Sequence, residues 1–188
     1  DVEGEMMYSW TDSCDGWTVE QKLELKYYPA EGDVSERVTT LNSWEAKNGK
    51  SYRFSSRTIS DGVESDNQRG TATLSLFGGG EAKITIPENI KPIRIASDTL
   101  FPSTHTALLL DNAKQGTKFF NRVVFDGADE KGQVEINAFI GKPVATFDKA
   151  KLAKDVTDSP LIQGAAWPVR LAFFNLEKGS DQQNMKWK

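Results

Sequence analysis

The only histidine of the chain, His105, directly follows Ser103 and Thr104. A hydroxyl beside an imidazole suggests nucleophilic catalysis, in which a serine attacks, a histidine takes its proton and a carboxylate orients the ring. Asp111 or Asp126 would supply that carboxylate. The chemistry needs the three groups to converge, however, and neighbours at the start of a helix do not face one another. The Gly-x-Ser-x-Gly turn that exposes a hydrolase nucleophile is absent. A hydrolase using His105 is therefore one reading, and a locally hydrogen-bonded histidine is the other.

Cys14 lies between Asp12 and Asp15. Negative neighbours disfavour a thiolate, whereas a nucleophilic cysteine sits near a cation or a helix N-terminus. One cysteine cannot form an internal disulfide. In an oxidising compartment it points to a partner outside the chain or to a free thiol, and in a reducing one to a small buried side chain. One Cys and one His are too few nitrogen and sulfur donors for a zinc site. Asp126, Asp129 and Glu130 suggest calcium, but Lys131 intrudes and EF-hand spacing is missing, so a solvated turn fits them better. No local motif marks a pair of glycosidase carboxylates. Gly78-Gly79-Gly80 lacks the Lys-Ser/Thr of a phosphate loop. Five tryptophans, at 10, 17, 44, 167 and 187, either line a sugar or lipid site or fill a β core. The residue types imply no cofactor, no metal and no enzyme.

The elements that would position these residues are mostly strands. Trp17, Val19, Leu23, Leu25 and Tyr27 alternate with Thr18, Glu20, Lys22, Glu24 and Lys26, with Gln21 the one polar member of the first set. Period two puts the two sets on opposite faces of a half-buried antiparallel strand. Val34–Ala46 repeats the pattern and leads to Asn48-Gly49, a hairpin signal. Further strands follow around Tyr52 and Phe54, around Ala72, Leu74 and Leu76, and around Ala82, Ile84 and Ile86, with turns at Asp61-Gly62 and Gly78–Gly80. Pro87 should end the last of these.

Lys118–Phe125 and Gln133–Ile140 form another pair across an Asp126–Gly132 turn, and Val169–Phe174 is a strand after Trp167-Pro168. Asn184–Lys188 suggests one more, and Thr146–Val156 a short helix or loop. The main helix spans about 103–115, capped by Ser103 or Thr104 and closed by Gly116, with Ala107, Leu108, Leu109 and Leu110 as its apolar part. Many short-linked strands with one helix predict a single mainly β unit over 1–188: a sandwich, a barrel or a curled sheet.

The chain has 188 residues, enough for a sizeable core. With 23 basic and 27 acidic residues well mixed, it has no basic block to release counterions, which argues against nucleic-acid binding. No apolar run approaches the roughly 20 residues of a transmembrane helix, so the chain is not expected to be transmembrane. It begins at Asp1, without an initiator methionine or a visible leader, as a mature or trimmed product would.

Four segments together resemble one family. They are Ser13-Cys14-Asp15-Gly16-Trp17-Thr18-Val19-Glu20-Gln21, Leu100-Phe101-Pro102-Ser103-Thr104-His105-Thr106, Val124-Phe125-Asp126-Gly127-Ala128-Asp129, and Trp167-Pro168-Val169-Arg170-Leu171-Ala172-Phe173-Phe174. Ser43-Trp44-Glu45 and Ser51-Tyr52-Arg53-Phe54 fit between them. From Ser13 to about Phe174 the chain resembles the EipB family, cell-envelope integrity proteins of alphaproteobacteria. The resemblance implies a periplasmic protein with a strongly curved, spiral-like antiparallel sheet and a non-enzymatic role in the envelope. Its partner would be an envelope protein or a lipid component. The resemblance also implies a disulfide from Cys14 to a cysteine near the family's C-terminus. No second cysteine follows here, so either that partner lies outside this chain, which then lacks the family's N- and C-terminal parts, or this is a divergent member without the bridge. A helix beside a curved sheet suggests, as an alternative, a carrier of lipid or lipoprotein acyl chains, with Phe101, Leu108, Phe119 and Phe173 lining an apolar groove.

Overall fold

The computed structural model describes residues 1–75, 78–127, 132–144 and 164–176. Seven strands form an antiparallel meander: β1 (Val2–Asp12), β2 (Gly16–Tyr27), β3 (Ser35–Ala46), β4 (Ser51–Ser60), β5 (Val63–Leu74), β6 (Gly80–Ile86) and β7 (Ile93–Ile95). The sheet is unclosed, because β1 and β7 stand at its two ends. Helix α1 (Pro102–Lys114) follows. The chain then makes a second sheet in the order β10 (Val169–Asn175), β9 (Val134–Ile140), β8 (Phe119–Val124). This is the mainly β antiparallel architecture with one helix that the alternation predicts, in the curved form that the resemblance implies.

The hairpins form where turn chemistry calls for them. Asp61 and Gly62 both have positive φ, 51° and 78°, the backbone that a two-residue turn needs to match strand twist. Gly49 (φ 66°) closes the β3–β4 turn, and the Lys50 N–H donates to Asn48 Oδ1 at 2.9 Å. Strands β1 and β7 are not foreseen in the alternation. The possible strand at 184–188 and the region 146–156 lie outside the described residues.

Register sorts the side chains of the meander. One cross-strand row runs Ala82, Ala72, Tyr52, Glu45, Trp17, and the next runs Ile84, Gly70, Phe54, Ser43, Val19, Trp10. These rows belong to the inner face. Thr18, Trp44, Arg53, Thr71 and Lys83 pair along the opposite, outer face. At the β4–β6 end the inner rows meet Phe101 and Phe125, which enter from the segments flanking α1 and β8. Tyr52 stacks on Phe101 at 5.1 Å, and Phe125 meets Phe54 edge-on at 5.7 Å. Rings in these offset and edge geometries add about 0.5–1.5 kcal/mol per pair beyond burial. A second cluster joins Ala113 of α1 to Phe120, Ala138 and Ile140, with Leu109 and Trp167 against it.

Two expectations need correction. The buried core is built of aliphatic residues, phenylalanine and tyrosine, and among the described tryptophans only Trp167 packs against it, partly buried. Trp10 and Trp17 pair with each other at 5.4 Å, Trp44 lies on the outer face under the Arg53 guanidinium, and Trp187 is outside the described residues. The helix also turns a different face inward. Its buried residues are Ser103, His105 and Ala113, whereas Ala107, Leu108 and Leu110 are exposed. Together with partly buried Leu109, the spacing 105, 109, 113 is one helical stripe.

Candidate binding cavity

The start of α1 is fixed by a strand residue. Pro102 occupies the first turn, Phe101 is the N-cap, and that cap makes no side-chain hydrogen bond. The exposed N–H groups of a helix start need acceptors. Glu45, 0% exposed on the inner face of β3, supplies them. Its Oε2 accepts from the Ser103 N–H at 2.6 Å, and its Oε1 accepts from the Thr104 N–H at 2.9 Å and from the Thr104 hydroxyl. Neither Ser103 nor Thr104 acts as the cap; both donate to Glu45. Burial raises the Glu45 pKa above the ordinary carboxylate value, against the opposing pull of these donors.

This anchoring sets His105 facing a cavity of about 230 Å³ beneath the inner face. Its walls come from Tyr8 of β1, Val19 and Gln21 of β2, Leu41 and Ser43 of β3, and Tyr52 of β4. Thr106, Val124, Asp126 and Ile136 close the far side, and Leu171 and Phe173 of β10 stand at its rim. The Tyr52 hydroxyl donates to the Asp126 carbonyl at 3.0 Å, tying the meander to the end of β8. His105 is 6% exposed, its ring lies 5.4 Å from Phe120, and its Nε2 is buried without a hydrogen-bond partner. Burial, and secondarily the Arg122 charge, lowers its pKa, which favours the neutral imidazole. No hydroxyl bonds to Nε2, so a serine–histidine pair of the hydrolase kind is not assembled.

A larger cleft of about 690 Å³ adjoins this cavity and shares Gln21, Leu41, Asp126 and Phe173 with it. Its remaining lining is Arg37, Thr39, Ser56, Thr58, Asp66 and Gln68. Sequence reasoning does not find this space. Its polar inner residues are signalled only by the break that Gln21 makes in an otherwise apolar set.

The four residues of the expected groove do not share one surface. Phe101 is 0% exposed in the main core, and Leu108 is 36% exposed on α1. Phe119 is 48% exposed and packs on Phe139 at 5.1 Å. Only Phe173, 62% exposed, borders the cavity. Cys14 is exposed in the β1–β2 turn at φ 68°, and its N–H donates to Asp12 Oδ1 at 2.9 Å. Asp111 lies 3.6 Å from Lys114 on the outside of α1. Among the described residues no three His, Cys, Asp or Glu side chains gather as metal ligands, and Asp129 and Glu130 lie outside them.

An unclosed, curved antiparallel sheet with an open cavity on its inner face defines the class of protein. The family model described as EipB-like matches residues 1–188, and the chain belongs to that family. It is 27% identical over 192 residues to the cell envelope integrity protein EipB of Brucella abortus, an alignment covering 96% of this chain and 62% of that protein. The chain thus spans about three-fifths of the length of this curated relative. A crystal structure described as a β-barrel-like protein of a domain of unknown function, also from Brucella abortus, superposes with a TM-score of 0.82. That match has 24% identity, covers 96% of this chain and 73% of the other, and bears on the fold alone. No described helix is long and apolar enough to cross a membrane.

Proposed function

We propose that this protein is a non-catalytic periplasmic component that supports cell-envelope integrity by binding another envelope component, protein or lipid, with its curled sheet. The envelope role is supported by family membership and the name of the curated relative. The observation that carries the binding role is the cavity rimmed by two edge strands. Tyr8 of β1 and Phe173 of β10 both line it, and each strand ends its sheet. An edge strand offers unpaired backbone donors and acceptors to an extended partner.

Photo-crosslinking in intact cells tests this. A crosslinking residue at Tyr8 or Phe173 should capture an envelope component, while one at Arg57 on the outer face of β4 should not. Equal capture at all three positions, or protein found only in the cytoplasm, would reject the reading.

The second reading, a carrier of acyl chains, draws on the apolar side of the rim, where exposed Leu171 and Phe173 stand in front of buried Val124 and Ile136. Native mass spectrometry of gently purified protein should then show bound lipid, and repeated clean spectra would reject it. The exposed Cys14 is proposed to pair, in the periplasm, with a cysteine beyond these 188 residues. It should resist alkylation until a reductant is added.

A further inference from the structure

Strand β1 is the least guarded edge among the described strands. Natural edge strands are blunted by shortness, proline, lysine, a bulge or a cover. Strand β7 has 3 residues, and β10 has 7, follows Pro168 and carries Arg170. The open side of β8 is closed near its end by Leu100, whose N–H donates to the Val123 carbonyl and whose carbonyl accepts from the Phe125 N–H, both at 2.9 Å. Strand β1 has 11 residues, no proline, no lysine or arginine, and an unbroken register on β2. Met6 and Met7, which point to opposite faces, are 59% and 62% exposed.

The bonds at the two ends of β1 fix which of its backbone groups are free. The Asp1 ammonium donates to the Tyr28 carbonyl at 2.7 Å, and the Tyr28 N–H donates to the Asp1 carbonyl at 2.8 Å. At the other end the Ser13 N–H donates to the Gly16 carbonyl at 3.0 Å. Opposite residues of an antiparallel pair alternate between exchanging both bonds and exchanging none. The odd-numbered residues of β1 thus turn their N–H and C=O toward β2. Val2, Gly4, Met6, Tyr8, Trp10 and Asp12 turn theirs outward.

This edge complements a reversed copy of itself. About a centre at Met7, Val2 faces Asp12, Gly4 faces Trp10, and Met6 faces Tyr8. All six bond outward, so each opposed pair can exchange both hydrogen bonds and the strand is paired over its whole length. On the other face Glu3 meets Thr11, Glu5 meets Ser9, and Met7 meets Met7. No like charges stand opposite one another, whereas a parallel in-register pair would set Glu3 and Glu5 against their own copies, which is destabilising. An aromatic ring across from an edge glycine covers backbone that lacks a side chain of its own. The Met6 sulfur against the Tyr8 ring is also a favourable contact.

We infer that the protein forms a twofold dimer in which β1 of each copy pairs antiparallel with β1 of the other, centred on Met7, so that two seven-stranded sheets become one. A twofold contact of this kind uses the same patch on both copies and closes on itself. The second copy lies beside β1 in the plane of the sheet. The inner face, its cavity and β10 stay open to the envelope component proposed above, and the dimer does not depend on that reading.

Sedimentation equilibrium at about 100 μM should give twice the subunit mass, since a Kd near 10 μM pairs most chains there. The even-numbered amides of β1 should exchange slowly at that concentration and rapidly on dilution. Met6→Pro deletes one outward N–H and spares the ladder to β2, as an edge strand tolerates. It should weaken association at least tenfold. Thiols read the register. In a Cys14→Ser chain, which has no other cysteine, Met7→Cys should form an intersubunit disulfide under mild oxidation, because the Cα atoms at the axis lie about 4.5 Å apart in such a pair. Glu5→Cys alone and Ser9→Cys alone should not link, each lying roughly 13 Å along the strand from its own copy. A mixture of the two should.

A monomer at every concentration overturns the inference, whether its β1 amides exchange rapidly or are protected by another stretch of chain. A dimer in which Met7→Cys fails to link, or in which Glu5→Cys links to itself, overturns it as well. If Met6→Pro does not fold, the disulfide pattern decides alone. Crosslinks from Phe173 to an envelope component would survive each of these failures, and their absence beside an intact dimer rejects only the binding reading.

Discussion

At the scale of single residues, Glu45 and His105 show opposite ways of burying an ionisable group. Glu45 keeps its acceptors occupied by the first N–H groups of α1, the place where helix backbone most favours a negative charge. Glu45→Ala would leave those donors buried without an acceptor. At about 1–3 kcal/mol for each of the two orphaned N–H groups, urea unfolding should show a loss of about 2–6 kcal/mol. Glu45→Gln keeps one acceptor oxygen but turns an amide donor toward the other N–H, and should fall between Ala and the parent.

His105 is held neutral, so its contribution depends on pH. Its folded pKa lies below the ordinary histidine value of 6.5. As pH drops through 6.5 the unfolded chain takes up a proton that the folded chain resists, so stability is greatest above that pH and declines below it. The groups around the ring are Arg122, whose charge adds to the lowering, and Tyr8, Tyr52 and Asp126 across the cavity. Glu45 acts in the other sense: its raised pKa favours the fold at low pH and loses that contribution as pH rises above the ordinary value of 4.5. The clean measurement is therefore the stability of the parent minus that of His105→Asn. The difference should be level above pH 6.5 and fall by up to about 1.4 kcal/mol per pH unit below it. A level difference down to pH 5 would show that the ring titrates freely.

At the scale of elements, legibility follows burial. Strands β2 to β6 carry one wet and one covered face, so their composition alternates and their hairpins announce themselves at Asn48-Gly49 and Asp61-Gly62. Strand β1 has no covered face. Gly4, Met6, Tyr8 and Trp10 do alternate with Glu3, Glu5 and Ser9, but Met7 breaks the pattern and every residue of the strand is exposed. Strand β7 has three residues, too few to show a period. The helix was legible in extent, since it ends before Gly116 at φ 79°, but not in orientation. Ala107 to Leu110 is an unbroken apolar run, which fixes no direction. The inward face is chosen instead by Glu45, 58 positions away from Ser103 in the chain. The cavity was illegible for a related reason. Its polar wall is made by inner-face residues of four strands, and each looks locally like an imperfection in a hydrophobic stripe.

At the scale of the whole molecule, stabilising contacts are unevenly placed. The main aromatic cluster ties β4, β5, β6 and β7 to Phe101 and Phe125. The opposite end of the meander borders a polar cleft and finishes in β1, which pairs with β2 alone among the described strands. Strand β10 is likewise held by β9 alone and is mostly exposed. Local opening free energies scale with buried contacts, from near zero at exposed edges to the global value in the core. Amide hydrogen exchange should therefore rank the strands, slowest for Tyr52 and Phe54 in β4 and for Ala72 in β5, and fastest for β1 and β10. The easily opened strands are the two that rim the cavity, so a ligand seated between Tyr8 and Phe173 would tie together the loosest parts of the fold. Saturation with a bound partner should slow exchange in β1 and β10 while leaving β4 and β5 unchanged, because those amides already exchange only through global opening or close to it. Uniform protection across the meander in the free protein would mean that the edge strands share the core's stability, and the rim would then have no freedom to admit a chain.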